Sequence, residues 1–310
     1  MSDVVVCGSL NMDLIARVAR LPAPGETLIG RELLRSAGGK GLNQALASAR
    51  MGVPTGMIGA VGADADGREL LALLQRENID IAAVAKRSRQ PTGLAQVLLA
   101  DSGENSIIVH PGANAALLPA DLPEPLPSAV VYLAQLETPL DTIEAFFAAA
   151  RRAGGCCVLN TAPAVEGSER LLPLADVLVM NETELGYYAR TLTGESYEPI
   201  PLPAVATLKR VGRKLLQHPQ QSLIITLGAA GALWLTHAQD EHIPAYPTDV
   251  VDTTGAGDCF CGVLAASIAL GHVLPTALQR ASEAAAIVVG RLGAAPAMPE
   301  ATLLKGRANR

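Results

Sequence analysis

Two hydrophobic patterns alternate along this chain. Short continuous apolar runs are typical of strands buried in a parallel sheet, whereas apolar residues three and four apart are typical of one helix face. The runs that predict strands span 4–8, 57–61, 130–133, 156–159, 177–180 and 223–227. The segments that predict helices span 39–51, 66–77, 140–152, 257–270 and 275–292. Strands alternating with helices predict a three-layer α/β sandwich, with a mainly parallel central sheet between helices.

Two segments, 12–35 and 92–110, depart from this alternation. Each contains two strand-like runs joined by turn residues, PAPG in the first and DSGEN in the second, with no helix between the runs. We expect two β-hairpins that form a small separate sheet, built from insertions in a single α/β domain that spans residues 1–310. A small sheet above the carboxyl ends of the parallel strands would act as a lid over a binding site.

Composition and charge exclude several classes of protein. The chain has 310 residues, 49% hydrophobic and 17% charged, which is incompatible with disorder and sufficient for a large core. The net charge of −6 argues against nucleic acid as a partner, because phosphate contacts require a basic face. It still permits a small phosphorylated ligand. We expect no membrane partner, because no apolar stretch reaches the roughly 18–20 residues of a membrane span.

The five cysteines form no recognisable metal or disulfide pattern. Cys156 and Cys157 are adjacent, Cys259 and Cys261 lie in an apolar run, and the histidines are scattered. Neither a zinc site nor a disulfide framework is expected from this arrangement. Cysteines that act as small buried hydrophobic residues are typical of a reducing compartment, and the N-terminus does not resemble a signal peptide. We therefore expect a cytoplasmic location.

The segment 252–258 (DTTGAGD) carries the strongest chemical signal. It precedes a helix that is apolar on nearly all sides and is therefore expected to be buried. The turn Gly255-Ala256-Gly257 would leave free backbone N–H groups at the positive end of the helix dipole, which favours an anion. Asp258 stands at the same terminus. It is either a catalytic carboxylate or only a first-turn residue that the dipole favours.

A second glycine-rich segment, 37–44 (AGGKGLNQ), leads into the helix predicted for 39–51. Lys40 and Asn43 are three residues apart and so share a helix face beside the apolar stripe. A polar face beside glycines suits a hydroxylated ligand, although a glycine-rich cap with a solvated lysine would explain it equally. The segment is not a Walker A loop, because Gly41 stands where that loop has serine or threonine.

Other polar residues follow predicted strands, at the carboxyl ends where open α/β sheets bind ligands. Asn11 and Asp13 point the same way if extended, although an Asx turn would also explain them. Glu137 follows the next central strand as a lone carboxylate. Asn181 and Glu184 could cap the following helix or reach Mg²⁺ through water.

Together these segments resemble the ribokinase family of sugar kinases, the PfkB-type carbohydrate kinases. The matches to the family's signature motifs are 37–52 (AGGKGLNQALASARMG) and 252–262 (DTTGAGDCFCG), with 181–184 (NETE) between them. Shorter matches are PGET, GEN and PGANAAL, at 24–27, 103–105 and 111–117. The resemblance covers essentially the whole chain and implies a ribokinase-like fold.

The resemblance also implies roles for matching residues. Those that would hydrogen-bond the sugar hydroxyls are Asn11, Asp13, Gly39, Lys40, Asn43 and Glu137. Lid residues that would cover the sugar's apolar face are Ala95, Val97 and Val109. Asp258 would be the base that takes the proton from the primary hydroxyl, while Gly255, Ala256 and Gly257 would donate N–H groups to the transferred phosphoryl. Residues that would hold ATP are Asn181, Glu184, Thr226, Leu227, Gly228, Ala229, Gly231 and Gly257, with Glu184 also reaching Mg²⁺ through water.

A monovalent cation, usually K⁺, is implied beside the anion site. Its ligands would be the Asp252 carboxylate and the carbonyl groups of Thr254, Val288, Arg291 and Gly293. Two positions depart from the family pattern: Ala297 stands where a serine commonly offers its hydroxyl to the cation, and Ala229 replaces a serine at the nucleotide turn. One cation ligand and one phosphate hydrogen bond are therefore expected to be missing.

The activity that the resemblance implies is ATP-dependent phosphorylation of the 5-hydroxyl of D-ribose, giving ribose 5-phosphate. The protein would be a homodimer paired through the exposed edge of the lid sheet. The same chemistry on deoxyribose, a ketohexose or a nucleoside stays open. A non-catalytic sugar-binding regulator is an alternative from another class, although it would have no need of the base. A dehydrogenase has the least support.

Overall fold

The computed structural model of the protein describes residues 2–196 and 204–305. The strands in these ranges are β1 (Val4–Cys7), β2 (Asn11–Val18), β3 (Glu32–Gly38), β4 (Thr55–Gly62), β5 (Asp80–Arg87), β6 (Gly93–Ala100), β7 (Asn105–His110), β8 (Val131–Ala134), β9 (Cys156–Asn160), β10 (Val177–Asn181), β11 (Ser222–Thr226), β12 (Ala232–Leu235) and β13 (Asp240–Ile243). The α-helices are α1 (Lys40–Arg50), α2 (Ala65–Arg76), α3 (Leu140–Arg152), α4 (Glu182–Thr193), α5 (Val205–Leu215), α6 (Ala256–Ala269) and α7 (Leu274–Val289).

The central sheet has the strand order β13-β12-β11-β10-β9-β8-β1-β4-β5. All its pairings are parallel as far as β11, after which β12 and β13 are added antiparallel at one edge. The carboxyl ends of the parallel strands therefore meet along one edge of the sheet, which is where the ligand site of an open α/β sheet is expected.

The hydrophobic core is divided between the two faces of this sheet. Val4 and Val6 of β1 belong to a cluster with residues of α1, α2, α6 and α7, whereas Val5 and Cys7 belong to one with residues of α3, α4 and α5. Because successive side chains of a strand point to opposite faces, a strand covered on both sides reads as one continuous apolar run. The predicted three-layer architecture is confirmed.

The two predicted hairpins are also confirmed, and they join in one small sheet of order β3-β2-β6-β7. Each hairpin is antiparallel, and the parallel pairing of β2 with β6 connects them over residues 11–18 and 93–100. β2 begins only four positions after β1 ends. The small sheet is thereby anchored at the edge where the parallel strands end.

The helix predicted for 275–292 is too long at its C-terminus, because α7 ends at Val289. Gly290 follows the helix, and the Gly293 N–H donates to Asp252 Oδ2 over 2.9 Å. This hydrogen bond to Asp252 holds the segment after Gly290 in a direction that does not continue the helix. Periodicity also did not single out β5, α5 or β13, which are short or partly exposed. Among the described residues, no helix has the length and apolar character needed to cross a membrane.

Candidate active site

The predicted site residues converge where β1, β8, β10 and β11 end and where α1 and α6 begin. A cavity of about 170 Å³ there is lined by Lys40, Asn181, Glu184, Gly257 and Asp258, among others. These residues come from segments far apart in the chain, and the parallel topology brings them together.

The N-terminus of α6 has the geometry of an anion site. Its N-cap, Gly255, has φ +78, and a Cβ there would lie 2.7 Å from the Cβ of Ala294. Gly257 faces open space, because a Cβ at that position would meet nothing within 4 Å. The Ala256 N–H donates a long 3.3 Å hydrogen bond to the Thr253 carbonyl. The first N–H groups of a helix have no partner inside it, so this turn can receive a negatively charged oxygen.

Asp258 lies in the first turn of α6 and is only 8% exposed. Its Oδ2 accepts a hydrogen bond from Asn43 Nδ2 over 3.0 Å, and its Oδ1 accepts one from Gln44 Nε2, also over 3.0 Å. Both donors are on α1, which packs against α6. Because a buried carboxylate needs such partners in any role, these contacts show how Asp258 is held in place, and its catalytic role stays a prediction.

The small sheet places the residues predicted to cover the sugar on one face. Asp13 pairs with Ala95, which in turn pairs with Val109, so the three side chains lie side by side across the sheet. Val97 lies two positions beyond Ala95 and therefore points the same way, half-buried. Burial, together with the charges of Glu137 and Asp258, raises the pKa of Asp13 to about 7.

Glu137 and Lys40 lie close together in the site. Glu137 Oε2 accepts hydrogen bonds from the Ser9 hydroxyl and from the Lys40 backbone N–H, the latter over 3.2 Å. Burial lowers the pKa of the Lys40 ammonium, but the carboxylates of Asp258, Glu137 and Glu184 outweigh burial and raise the pKa overall. Lys40 therefore stays charged among acidic groups on both sides of the site. Gly39 is the N-cap of α1 and directly precedes Lys40, the first residue of that helix.

Asn11 is held by a residue that sequence reasoning did not single out. Asn114 Nδ2 donates to Asn11 Oδ1 over 2.8 Å and to the Leu10 carbonyl over 3.1 Å, while its Oδ1 accepts from the Leu10 N–H. Asn11, Asn114, Glu137 and Val109 line a cavity of about 360 Å³. Asn114 lies within PGANAAL, so the matching motif was the available signal.

Asn181 and Glu184 cap α4 and also line the small cavity. The Glu184 N–H donates to Asn181 Oδ1 over 2.8 Å, and the Asn181 N–H donates to Glu184 Oε2 over 3.0 Å, a capping box. Burial raises the pKa of Glu184, against the hydrogen bonds of Asn181 and Thr161 and the charge of Lys40. The structural and functional interpretations of this pair are therefore compatible.

A larger cavity of about 550 Å³ lies on the other side of the Gly257 turn. Its predicted lining residues are Thr226, Gly228, Ala229, Ala256, Gly231 and Gly257. Leu227 does not line it, because its side chain is buried in the core beneath the turn. Thr226 and Gly257 line both cavities, so the two adjoin at the anion site. The sequence analysis did not predict the other residues that line this cavity, among them Tyr246, Pro247, Val250, Phe260, Ser282 and Val289.

The residues predicted for the cation form one linked cluster behind Gly255. Asp252 Oδ1 accepts from the Thr254 N–H and Asp252 Oδ2 from the Gly293 N–H, each over 2.9 Å. The Val288 carbonyl accepts from the Arg291 N–H over 2.9 Å. Burial raises the pKa of Asp252, but hydrogen bonds from Thr254 and Gly293 and the charge of Arg17 lower it overall. Ala297 is buried beside this loop.

Comparison with known proteins agrees with this geometry. The profile of the pfkB family of carbohydrate kinases matches residues 1–301. A ribokinase from Staphylococcus aureus is 34% identical over 303 residues, covering 96% of this chain and 97% of the relative. A deoxyribokinase from Salmonella typhi is 32% identical over 301 residues, covering 96% and 95%. A bifunctional ribokinase/ribose-5-phosphate isomerase A from Fructilactobacillus sanfranciscensis is 34% identical over 305 residues, but this chain spans only 55% of its length.

Solved structures extend the likeness to the fold. Ribokinase from Thermotoga maritima superposes with a TM-score of 0.89 at 29% identity, covering 98% of each chain. Ribokinase from Arabidopsis thaliana in complex with ribose and ATP superposes with a TM-score of 0.84 at 31% identity, covering 98% of this chain and 99% of that one. With the family profile matched along nearly the whole chain, this protein belongs to the pfkB family of carbohydrate kinases.

Proposed function

We propose that the protein transfers the γ-phosphoryl group of ATP to the 5-hydroxyl of D-ribose. The observation that carries this proposal is the Asp258 carboxylate, placed beside the open N-terminus of α6, where the small polar cavity adjoins the larger one. The relatives named ribokinase, and the ribokinase structure with ribose and ATP, support the choice of acceptor and donor.

In this proposal the sugar lies under the lid and the nucleotide in the larger cavity. Asp258 takes the proton as the sugar oxygen forms its bond to the γ-phosphorus, while the bond to the β-phosphate oxygen breaks and leaves ADP. The N–H groups of the Gly255–Gly257 turn stabilise the charge on the transferred phosphoryl. Lys40 lines the small cavity and adds positive charge there. We further propose that the small sheet is the lid of a single domain and excludes water during transfer.

We propose Mg²⁺ as the metal of the reaction. Among the described residues, no group of three or more histidine, cysteine, aspartate or glutamate side chains could hold a metal ion. Mg²⁺ commonly keeps several waters and binds through substrate phosphates and one or two carboxylates, so the donor set fits, with Glu184 and Asn181 as the outer ligands. When bound, it would neutralise charge on the β- and γ-phosphates.

We also propose a K⁺ site at the Asp252 loop. A carboxylate and backbone carbonyls are hard oxygen ligands, and Asp252 links Thr254 to Gly293 within hydrogen-bond distance. The Asp252 carboxylate and the carbonyl groups of this loop are ligand types that fit a monovalent cation, whereas Ala297 offers only a methyl group. A cation bound here would stabilise the conformation of residues 252–254, which directly precede Gly255.

Ala297→Ser is expected to restore the missing ligand. The half-maximal K⁺ concentration for activation should fall severalfold, because one added oxygen ligand strengthens binding of a hard cation. The measurement is ADP release as K⁺ replaces a large organic cation at constant ionic strength. An identical K⁺ response in both proteins would contradict the assignment of the site.

The ionisation of Asp13 is expected to control sugar affinity. With its pKa raised to about 7, Asp13 is largely protonated in mildly acidic solution and becomes a stronger acceptor for sugar hydroxyls as pH rises. Ribose affinity, measured by calorimetry, should therefore increase between about pH 6 and about pH 8. Asp13→Asn should remove this dependence and weaken binding by about tenfold. The exposed lid residue Asp101 provides the control Asp101→Asn, which should change neither.

The same ionisation has a consequence for stability. A carboxyl group whose pKa is higher in the folded than in the unfolded protein destabilises the fold progressively as pH rises from its unfolded pKa, roughly 4, to its folded pKa of about 7. Asp13→Asn should therefore increase the Tm more at about pH 8 than at about pH 5. An equal change in Tm at both pH values would show that Asp13 does not titrate in this range.

We propose a homodimer paired through the lid sheet. Every residue of β7, its edge strand, is exposed, including Ile107, Ile108 and Val109 at 53%, 58% and 46%. An exposed apolar edge strand is a template for pairing with another strand. A monomer in sedimentation experiments at micromolar concentration would contradict this.

We also propose a cytoplasmic location, which the five free cysteines, four of them buried, support.

Deoxyribose is the second candidate acceptor, because a deoxyribokinase has nearly the same identity to this chain as the ribokinases. The test of both candidates is a coupled ADP-release assay with Mg-ATP and K⁺ over ribose, deoxyribose, fructose, tagatose and nucleosides. Preference for ribose by kcat/KM supports the proposal, and preference for another acceptor replaces the substrate but keeps the kinase chemistry. Ribose binding without turnover of any acceptor would indicate a sugar-binding regulator.

A further inference from the structure

A chain of buried carboxamide side chains continues from Asp258 into the core. Gln44 and Gln135 are fully buried, whereas Asn160 is 7% exposed and also lines the small cavity. Gln44 Nε2 donates to Asp258 Oδ1 over 3.0 Å and to Asn160 Oδ1 over 3.2 Å. Gln135 Nε2 donates to Gln44 Oε1 over 2.7 Å. The sugar and nucleotide roles described above use none of these three residues.

The orientation of the Gln44 amide follows from its partners. An ionised carboxylate only accepts hydrogen bonds, so Gln44 must turn its nitrogen toward Asp258. The donation from Gln135 to Gln44 Oε1 on the opposite side agrees with this orientation. Gln44 is therefore held by contacts at both ends of its amide, and flipping that amide would place two acceptors against each other.

Two glycines, Gly8 and Gly262, leave the space that this row of carboxamide side chains occupies. A Cβ on Gly8, at the end of β1, would lie 2.0 Å from Gln135 Oε1. A Cβ on Gly262 of α6 would lie 2.4 Å from the Gln44 carbonyl oxygen and 2.7 Å from the Ala47 Cβ. The absence of a side chain at Gly262 lets α6 pack closely on α1, and this contact puts Gln44 within hydrogen-bond reach of Asp258.

The two oxygens of Asp258 have different surroundings. Oδ1 is held by the buried Gln44, whereas Oδ2 is held by Asn43, whose own Oδ1 is buried without a partner among the described residues. That unpartnered oxygen beside Asp258 Oδ2 can accept a hydrogen bond from a sugar hydroxyl. The hydroxyl side of the carboxylate is therefore Oδ2, and the side turned to the core is Oδ1.

We propose that Gln44 is the positioning residue of the base: it anchors Asp258 Oδ1 so that Oδ2 faces the reacting hydroxyl. This inference rests on the proposed kinase function. The Gln44 N–H also stabilises the ionised carboxylate, which is the form that can accept the proton. Gln135 and Asn160 act through Gln44 by keeping its amide in the required orientation.

Gln44→Met tests the proposal, because methionine has similar length but donates no hydrogen bond. We expect kcat to fall about tenfold with the KM for sugar and ATP changed less than twofold. The acidic limb of the kcat profile should move to higher pH, because a carboxylate that loses a donor binds a proton more readily. The titratable groups that interact with Asp258, all unchanged in this variant, are Lys40, Asp13, Cys259 and Cys261.

Gln221→Met is the matched control. Gln221 is fully buried and donates to the carbonyls of Leu172 and Ala175, each over 2.7 Å, away from the site. Gln221→Met should have a lower Tm than the wild type but the same pH profile of kcat. The control thus shows what the loss of buried amide hydrogen bonds does to stability alone.

Gln44→Glu provides a second variant if Gln44→Met does not fold. It keeps the side-chain size but places a second carboxyl group against Asp258, so the acidic limb should move further up than in Gln44→Met. A pH profile identical to that of the wild type in whichever folded Gln44 variant is measured would overturn the positioning role. Wild-type protein that releases no ADP with any acceptor would instead overturn the proposed kinase function, and the Gln44 assignment with it.

Discussion

Asp258→Asn is expected to lower kcat by about 10³-fold or more while ribose and ATP still bind with affinities near those of the wild type. The amide keeps the size of the carboxylate but cannot take the proton from the attacking hydroxyl. It also loses the negative charge that Gln44 and Asn43 hold in place at 3.0 Å. Single-turnover kinetics and calorimetry separate the loss of the chemical step from any loss of binding.

Asp141→Asn is the matched control for this variant. Asp141 is also an aspartate in the first turn of a helix, α3, but it is exposed and pairs with Arg170 at the surface. If Asp258 served only as a favourable charge at a helix N-terminus, the two variants would behave alike. Turnover of Asp258→Asn close to that of the wild type would remove Asp258 from the catalytic role.

Gly255→Ala is expected to give the second-largest loss, about 10²-fold in kcat. Gly255 has φ +78, and the new Cβ would lie 2.7 Å from the Cβ of Ala294, so the turn must move. Moving it displaces the N–H groups aimed at the phosphoryl, and one such donor is commonly worth about 10²–10³ in rate. The strained backbone should also lower the free energy of unfolding by roughly 1–3 kcal/mol.

Gly271→Ala separates these two effects. Gly271 has nearly the same φ, +80, but a Cβ there would meet nothing within 4 Å. It should therefore lower the free energy of unfolding, measured in denaturant, without lowering kcat. Equal kcat values for Gly255→Ala and Gly271→Ala would show that the turn tolerates displacement and is not the phosphoryl site.

Much of the architecture could be predicted because its signals are local. β1 reads as a continuous apolar run because both of its faces are covered, and each hairpin connection carries a glycine together with proline or aspartate, which are typical turn residues. The end of α7 could not be predicted in this way. Its termination depends on the tie between Gly293 and Asp252, which are 41 residues apart.

Part of the site was predicted from motifs and part was not. Asn43 and Asp258 were singled out separately, by glycine-rich segments that each precede a helix. Gln44 was not, because a glutamine beside an apolar stripe carries no local indication of what it will touch. Leu227 was assigned to the nucleotide through the family resemblance, but its side chain is buried in the core.

By itself, the amino-acid sequence determined most of the elements, the two hairpins, the glycine turns and the family, because each depends on residues close together in the chain. The tertiary structure alone decided that β2 pairs parallel with β6, and that Asn43 meets Asp258 across 215 residues. It also decided which side chains wall the nucleotide cavity. Such contacts depend on how closely whole helices and strands pack, and no local pattern specifies that distance.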